Sequence, residues 1–339
     1  MKSKRKTLKW IVWVAAIFVA VAVVLWFIPT PYLVITPGVT GNLAQMVHVK
    51  NGHPEPEKGE LLMVAVGLQQ VNELEYLGAR LDPNMEILKA SYAMGGLNMN
   101  QYIQYNESLM TNSQLTAEVA GERLAGLHAY VKTVPGALVI GVLKKGNAQG
   151  KLQPGDLITK IGPYSITNPN QVHDIMLKHF TFGEIVPFTV VRKHQTVVVP
   201  IRTTHIPHDS APAIGVMISS LQEPVIPRPV SINSEGIGGP SAGMMFSLEI
   251  YSQITGKDLA HGRIVAGTGE ITPSGQVQPI GGVAQKVITV HRSGATVFLC
   301  PTANYPKALA MARRKGYHMT IYPVSNLTQA LHDITKATT

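Results

Sequence analysis

The sequence predicts an apolar membrane helix at the amino end, followed by a mainly β domain and an α/β domain. Three observations carry that expectation. Every residue from Trp10 to Ile28 is apolar, behind the basic cluster Lys2, Lys4, Arg5, Lys6 and Lys9. Short strand-like runs punctuated by glycine and proline turns fill the middle of the chain. Beyond about Ala211, strand-length and helix-length apolar patterns alternate, which reads as α/β. With 339 residues, 45% of them hydrophobic, there is material for about two cored domains beside the helix.

An α-helix needs roughly 20 apolar residues to cross a bilayer, and the run from Trp10 to Ile28 supplies them. The three tryptophans, Trp10, Trp13 and Trp26, stand near its two ends, where interfacial anchors belong. The basic residues predict a cytoplasmic tail over 1–9, a span over 10–28, and everything after Pro29 outside the cytoplasm, so the expected location is the cell membrane. A cleaved leader fits less well. Ala20-Val21-Ala22 lies inside the apolar run, and Pro29-Thr30-Pro31-Tyr32 is a poor cleavage site. Without the five charges of the tail, the net charge of +9 falls to +4, and no basic patch interleaved with aromatics stands out. Nucleic acid is therefore not an expected partner. Cys300, the single cysteine, excludes an intrachain disulfide and reads as a small buried hydrophobe. The twelve histidines show no metal-ligand spacing; His205, His208 and Asp209 come nearest, and no metal or cofactor is expected.

Between 29 and 125, Leu33 to Thr36 and Leu61 to Val66 read as strands, Gln101 to Ser113 as a polar flexible loop, and Ser113 to His128 as an amphipathic helix. Strands are then expected at Leu138 to Val142, after the turn Leu152-Gln153-Pro154-Gly155-Asp156-Leu157-Ile158, and at Val186 to Val191 and Val197 to Ile201, with a helix from Asn168 to His179. This order, and above all the Leu-x-Pro-Gly-Asp-x-Ile run, resembles a PDZ domain of the bacterial protease-associated type over 126–204. The resemblance implies peptide binding by strand addition, with a terminal carboxylate held by loop N–H groups. The expected loop is Val134 to Leu138, with Gly136, Ala137 and Leu138 as candidate contacts; Pro135 removes one N–H there.

The chemistry-bearing residues lie in 205–339. Strand-like Ala213 to Met217 and Val230 to Ile232 precede Gly238-Gly239-Pro240-Ser241-Ala242-Gly243, which opens a mostly apolar helix ending near Gly256. A serine at a glycine-rich helix start can sit close to a substrate, with free N–H groups beside it for an oxyanion. Its hydroxyl needs a base. Lys286 is a candidate because Ile280, Val283, Ala284, Val287 and Ile288 surround it in sequence, and desolvation lowers a lysine pKa towards neutrality. Alone, the glycine-proline-serine turn would read as a capped helix and Lys286 as a solvated lysine.

The series Gly239 to Gly243, Thr268-Gly269-Glu270-Ile271, Gly275, Val277, Pro279-Ile280-Gly281-Gly282, Lys286 and Gly294-Ala295 resembles the proteolytic domain of the Lon-type serine–lysine peptidases. That resemblance implies an α/β proteolytic fold, Ser241 as nucleophile, Lys286 as general base, Thr268 as a supporting group, and backbone amides near Gly239 and Ala242 around the oxyanion. Gly238 stands where many such domains carry an acidic residue.

The whole order resembles the membrane-anchored, PDZ-containing Lon-type peptidases of Gram-positive bacteria, which implies that 29–125 packs with the carboxyl-terminal domain around an inserted PDZ domain. The expected partners are a peptide or protein substrate and the membrane. Lon-type proteolytic domains often form rings, which leaves a homo-oligomer open. The phosphate-binding pattern G-x-x-x-x-G-K-[S/T] is absent, since Gly256-Lys257 is followed by Asp258. The expected function is therefore ATP-independent endopeptidase activity on exposed segments. The alternatives are a tethered PDZ binding module with an inactive peptidase-like domain, and a thiol enzyme built on Cys300 and His291.

Overall fold

The computed structural model describes residues 2–53, 58–143, 146–205, 210–234 and 236–336, with side chains from Trp10 onward. His208 and Asp209 lie outside the described residues. Helix α1 (Lys2–Phe27) runs almost directly into β1 (Pro29–Asn42). Then come α2 (Leu43–Met46), β2 (Val47–Val49), β3 (Glu60–Asn72), α3 (Glu73–Leu81), β4 (Glu86–Lys89), α4 (Ala90–Ala93) and the long α5 (Met99–Leu124). The next group is β5 (Tyr130–Val142), β6 (Leu157–Ile161), β7 (Tyr164–Ser165), α6 (Asn170–His179), β8 (Ile185–Arg192), β9 (Gln195–Arg202) and β10 (Val216–Val225). The last group begins with β11 (Val230–Ile232), α7 (Gly243–Thr255), β12 (Ile264–Gly267), β13 (Glu270–Ile271) and β14 (Val277–Gln278). It ends with α8 (Val283–Arg292), β15 (Val297–Pro301), α9 (Tyr305–Lys315), β16 (Thr320–Val324) and α10 (Leu327–Lys336).

A six-stranded sheet in the order β16-β15-β12-β3-β1-β4 organises the α/β part. Its carboxyl-terminal half is parallel, because α8 and α9 provide the crossovers that parallel neighbours require. Its other half comes from the segment before α5: β3 pairs parallel with β12, and β1 and β4 add on antiparallel. On one face Met63 and Leu299 pack with Met244, Phe246 and Leu248 of α7 and Met110 and Ala117 of α5. On the other, Val64 and Phe298 pack with Val287 of α8 and Ala308 of α9. Among the described residues, α1 is the one helix long and apolar enough to span a bilayer, and none of Trp10–Phe27 is buried.

The second sheet runs β10-β5-β6-β8-β9, with β7 beside β6 and α6 against it, around Val139, Ile158, Phe188 and Ile201. Arg192 fixes the Pro154-Gly155 turn by donating to both carboxylate oxygens of the fully buried Asp156, at 2.7 and 2.6 Å. Strand β10, from beyond residue 204, completes this sheet along β5.

Two local expectations are corrected. The polar stretch from Gln101 to Ser113 is the first half of α5, not a loop. A capping box between Asn98 and Gln101 starts the helix, and Met99, Tyr102, Ile103 and Met110 recur at helical spacing among the polar residues. Val134 to Leu138 is likewise not a loop: it belongs to β5, where a register shift against β10 accommodates Gly136 at φ 139°.

Candidate active site

Ser241 sits in the turn between β11 and α7. Three contacts hold this turn from outside it. Gly239 N–H donates to the Asn106 carbonyl on α5 (2.8 Å), Ser113 Oγ donates to the Pro240 carbonyl (2.9 Å), and Gly269 N–H donates to the Ser241 carbonyl (2.8 Å). Gly239 has φ +88°, a conformation that side chains disfavour. A Cβ on Gly243 would lie 2.7 Å from Ser113 Oγ and 2.8 Å from the Ile271 side chain, so only glycine lets α7 begin this close to α5 and β13.

Lys286 comes from the first turn of α8, whose N-cap is Gly282 in the left-handed region. Its side chain is 2% exposed and crosses to the serine turn. Nζ lies 2.6 Å from Ser241 Oγ, 2.8 Å from Thr268 Oγ1 and 2.7 Å from the Val64 carbonyl. Burial lowers its pKa to about 7. Thr268 Oγ1 donates its own hydrogen to the Ser241 carbonyl (3.0 Å), so towards Nζ it can only accept. The Val64 carbonyl can only accept as well. A neutral amine has two hydrogens and one lone pair: the hydrogens go to Thr268 and Val64, and the lone pair faces Ser241 Oγ. In that arrangement the amine can take the serine proton.

The N–H groups of Ser241 and Ala242 have no acceptor among the described residues, whereas that of Gly239 is occupied by Asn106. Of the amides expected around an oxyanion, Ala242 and Ser241 are therefore available and Gly239 is not. A cleft of about 900 Å³ opens over Ser241. Its walls include Ile35 and Val39 of β1, Val66 and Leu68 of β3, and Tyr102 and Ile103 of α5. Sequence reasoning missed Val64, because a main-chain carbonyl leaves no mark in a run of apolar residues. It missed Asn106 and Ser113 because their segment reads as a polar loop.

The remaining candidates lie elsewhere. Gly136, Ala137 and Leu138 are inside the second sheet, where Leu138 pairs with Leu157 on one side and Ser219 on the other, and Ala137 is fully buried. Ala137 is paired with Ile158, and Gly136 lies in the register shift between Val134 and Leu138. Cys300 is fully buried in β15, with burial pushing its thiol up to about 12. His291 stacks on Tyr317 with ring centroids 3.7 Å apart.

Residues 234–336 match the family model described as the Lon protease (S16) C-terminal proteolytic domain. The matched segment, from the Ser241 turn through α10, is similar to that proteolytic domain and carries Ser241, Thr268 and Lys286. Among curated proteins, the Lon protease of Brevibacillus choshinensis is 36% identical over 99 residues, which are 29% of this chain and 12% of that protein. Lon protease 1 of Syntrophotalea carbinolica is 46% identical over 66 residues, 20% of this chain and 8% of that protein. The chain thus covers about an eighth or less of the length of these relatives. Among solved structures, the PDZ domain of an SdrC-like protein from Listeria monocytogenes matches 26% of this chain and 90% of its own, at 24% identity and a TM-score of 0.24. The corresponding Listeria innocua domain matches 24% and 92%, at 26% identity and a TM-score of 0.23.

Proposed function

We propose that this chain is a membrane-anchored serine endopeptidase that cleaves peptides or exposed protein segments outside the cytoplasm without ATP, in the manner of the PDZ-containing Lon-type peptidases of Gram-positive bacteria. One observation carries the reading: a buried lysine amine of near-neutral pKa lies 2.6 Å from a serine hydroxyl at the floor of an open cleft. Ser241 Oγ attacks the substrate carbonyl carbon as its proton passes to Lys286 Nζ. The oxygen that becomes negative is held by the N–H groups of Ser241 and Ala242. Lys286 then returns the proton to the leaving amine, and water attacks the acyl ester by the same route. Thr268 and the Val64 carbonyl keep the amine aimed throughout.

The test is cleavage of an unfolded protein in the absence of ATP by the parent chain and by Ser241→Ala and Lys286→Arg. The parent cuts, and both variants lose about 10⁴-fold or more in kcat, since alanine has no hydroxyl to attack and guanidinium cannot give up its proton. Cleavage that requires ATP, or turnover retained in either variant, refutes this mechanism. An inactive parent that still binds peptides would favour the tethered binding module instead.

A further inference from the structure

We propose that Glu107 of α5 is a specificity-determining residue of the cleft, favouring substrates that carry a lysine or arginine within about four residues of the bond that is cut. This rests on reading the cleft over Ser241 as a peptidase site. The starting observation is the charge of the cleft. Of the described side chains that line it, Glu107 and Lys286 are the two that can carry a charge. Lys286 is buried at the floor and engaged with Ser241, Thr268 and Val64. Glu107 is exposed. The charge that these walls offer to a substrate is therefore negative, in a chain whose net charge is +9.

An exposed glutamate on a helix is ordinarily a solvated residue. Two features separate Glu107 from that case. First, its carboxylate accepts no hydrogen bond and makes no ion pair among the described residues. Helix α5 carries no cation before Arg123, and Glu107 stands well beyond the first turn, where a carboxylate would steady the helix end.

Second, its place is fixed beside the nucleophile. Asn106, the residue before it, accepts the Gly239 N–H at 2.8 Å, and Gly239 is two residues from Ser241. Along those links the Glu107 backbone lies at most about 15 Å from Ser241, the span of about four extended residues. Thr111 and Gln114 share its side of α5, at i+4 and i+7, and both line the cleft. Gln114 Nε2 donates to Ser234 Oγ at 2.8 Å, so this polar flank of the helix meets the segment that leads into the serine turn. Ile103, Met110 and Ile237 also line the cleft, and such apolar walls concentrate the field of the carboxylate inside it. A cationic side chain of a docking segment meets an unpaired carboxylate there, whereas an acidic one is repelled.

The experiment uses the full chain in micelles of a non-ionic detergent. At about pH 8.5 the Lys286 amine, of pKa about 7, is uncharged, while substrate lysines keep their charge. Cut bonds are first mapped in an unfolded protein by mass spectrometry. Peptides built on one such sequence then carry lysine, glutamine or glutamate, one position at a time, over about four positions on each side of the bond. At one or more positions the lysine peptide should exceed the glutamate peptide about fivefold or more in kcat/KM. Glu107→Gln, nearly isosteric at an exposed position, should bring that ratio to within about twofold of unity. Glu107→Lys should invert it, and added salt should shrink it in the parent. A ratio that is the same in the parent and both variants overturns the proposal, because another group then sets it. So does a parent that cuts yet prefers lysine at no position. A parent that cuts no unfolded protein overturns the peptidase reading, and this proposal with it.

Discussion

In the proposed mechanism the chemistry turns on Lys286, and its burial gives that mechanism a definite pH dependence. An exposed lysine stays charged until about pH 10.4. Burial brings this one to about 7, so the amine acquires its lone pair near neutrality. Activity should rise with pH through about 7 and then level off; a profile that stays low until about pH 10 contradicts the assignment. Stability follows the opposite bookkeeping of protons. Between about 7 and 10.4 the unfolded chain binds the proton that the folded chain has lost, so stability from this group rises with pH across that window. Below 7 the folded protein carries a buried charge. Lys286→Met should therefore raise the melting temperature at pH 6, on the order of 5 °C, and by less at pH 10. Thr268 acts through the amine. Thr268→Val removes an acceptor that favours the ammonium, so the kinetic pKa should fall, with kcat lowered about tenfold or more and KM little changed.

At the scale of elements, α5 ties the molecule together: it lines the cleft, holds the serine turn through Asn106 and Ser113, and packs along α7. Gly121 marks a second close approach to α7, where a Cβ would lie 2.8 Å from the Ser247 carbonyl and 2.9 Å from the Ile250 side chain. Gly121→Ala should cost about 1–3 kcal/mol by overpacking, read as a lower denaturant midpoint at unchanged slope. Elements governed by local signals were legible in the sequence. Helix α6 spans Asn170–His179 where Asn168 to His179 reads as helical, and α7 stops at Gly256 in the left-handed region. Ser241 and Lys286, which the structure brings within 2.6 Å of each other, were legible as a candidate pair because the proposed chemistry requires those side chains. What escaped depends on contacts between distant segments. Asn106, Glu107 and Asn112 give α5 a polar reading, although its apolar positions meet the cleft and α7. The turn-like Pro135-Gly136 is absorbed by a strand because β10 supplies a partner from about 80 residues away.

At the scale of the whole molecule, the six-stranded sheet makes 29–125 inseparable from the carboxyl-terminal half, whereas the second sheet is arranged as an insertion. The chain leaves the α/β part at the end of α5 and returns at β11, and the two ends adjoin: Arg228 N–H donates to Glu122 Oε1 at 3.0 Å. A short glycine-serine linker can bridge such a gap at small entropic cost. Replacing residues 128–227 by such a linker should leave a cooperatively folding protein that still cleaves an unstructured peptide, with kcat/KM within about tenfold of the parent if the second sheet only recruits or orients longer substrates. The melting temperature should fall, because α5 loses its packing against β5 and β10. The converse truncation, a chain beginning at residue 205, should not fold to an active form. It retains β12, β15 and β16 but lacks β3, β1 and β4, together with core residues Leu61, Met63 and Val64. It also lacks the carbonyl that, with Thr268, points the Lys286 lone pair at Ser241. If the truncated chain cleaved as well as the linker variant, the amino-terminal half of the sheet would be dispensable, and the role given to Val64 would fall with it.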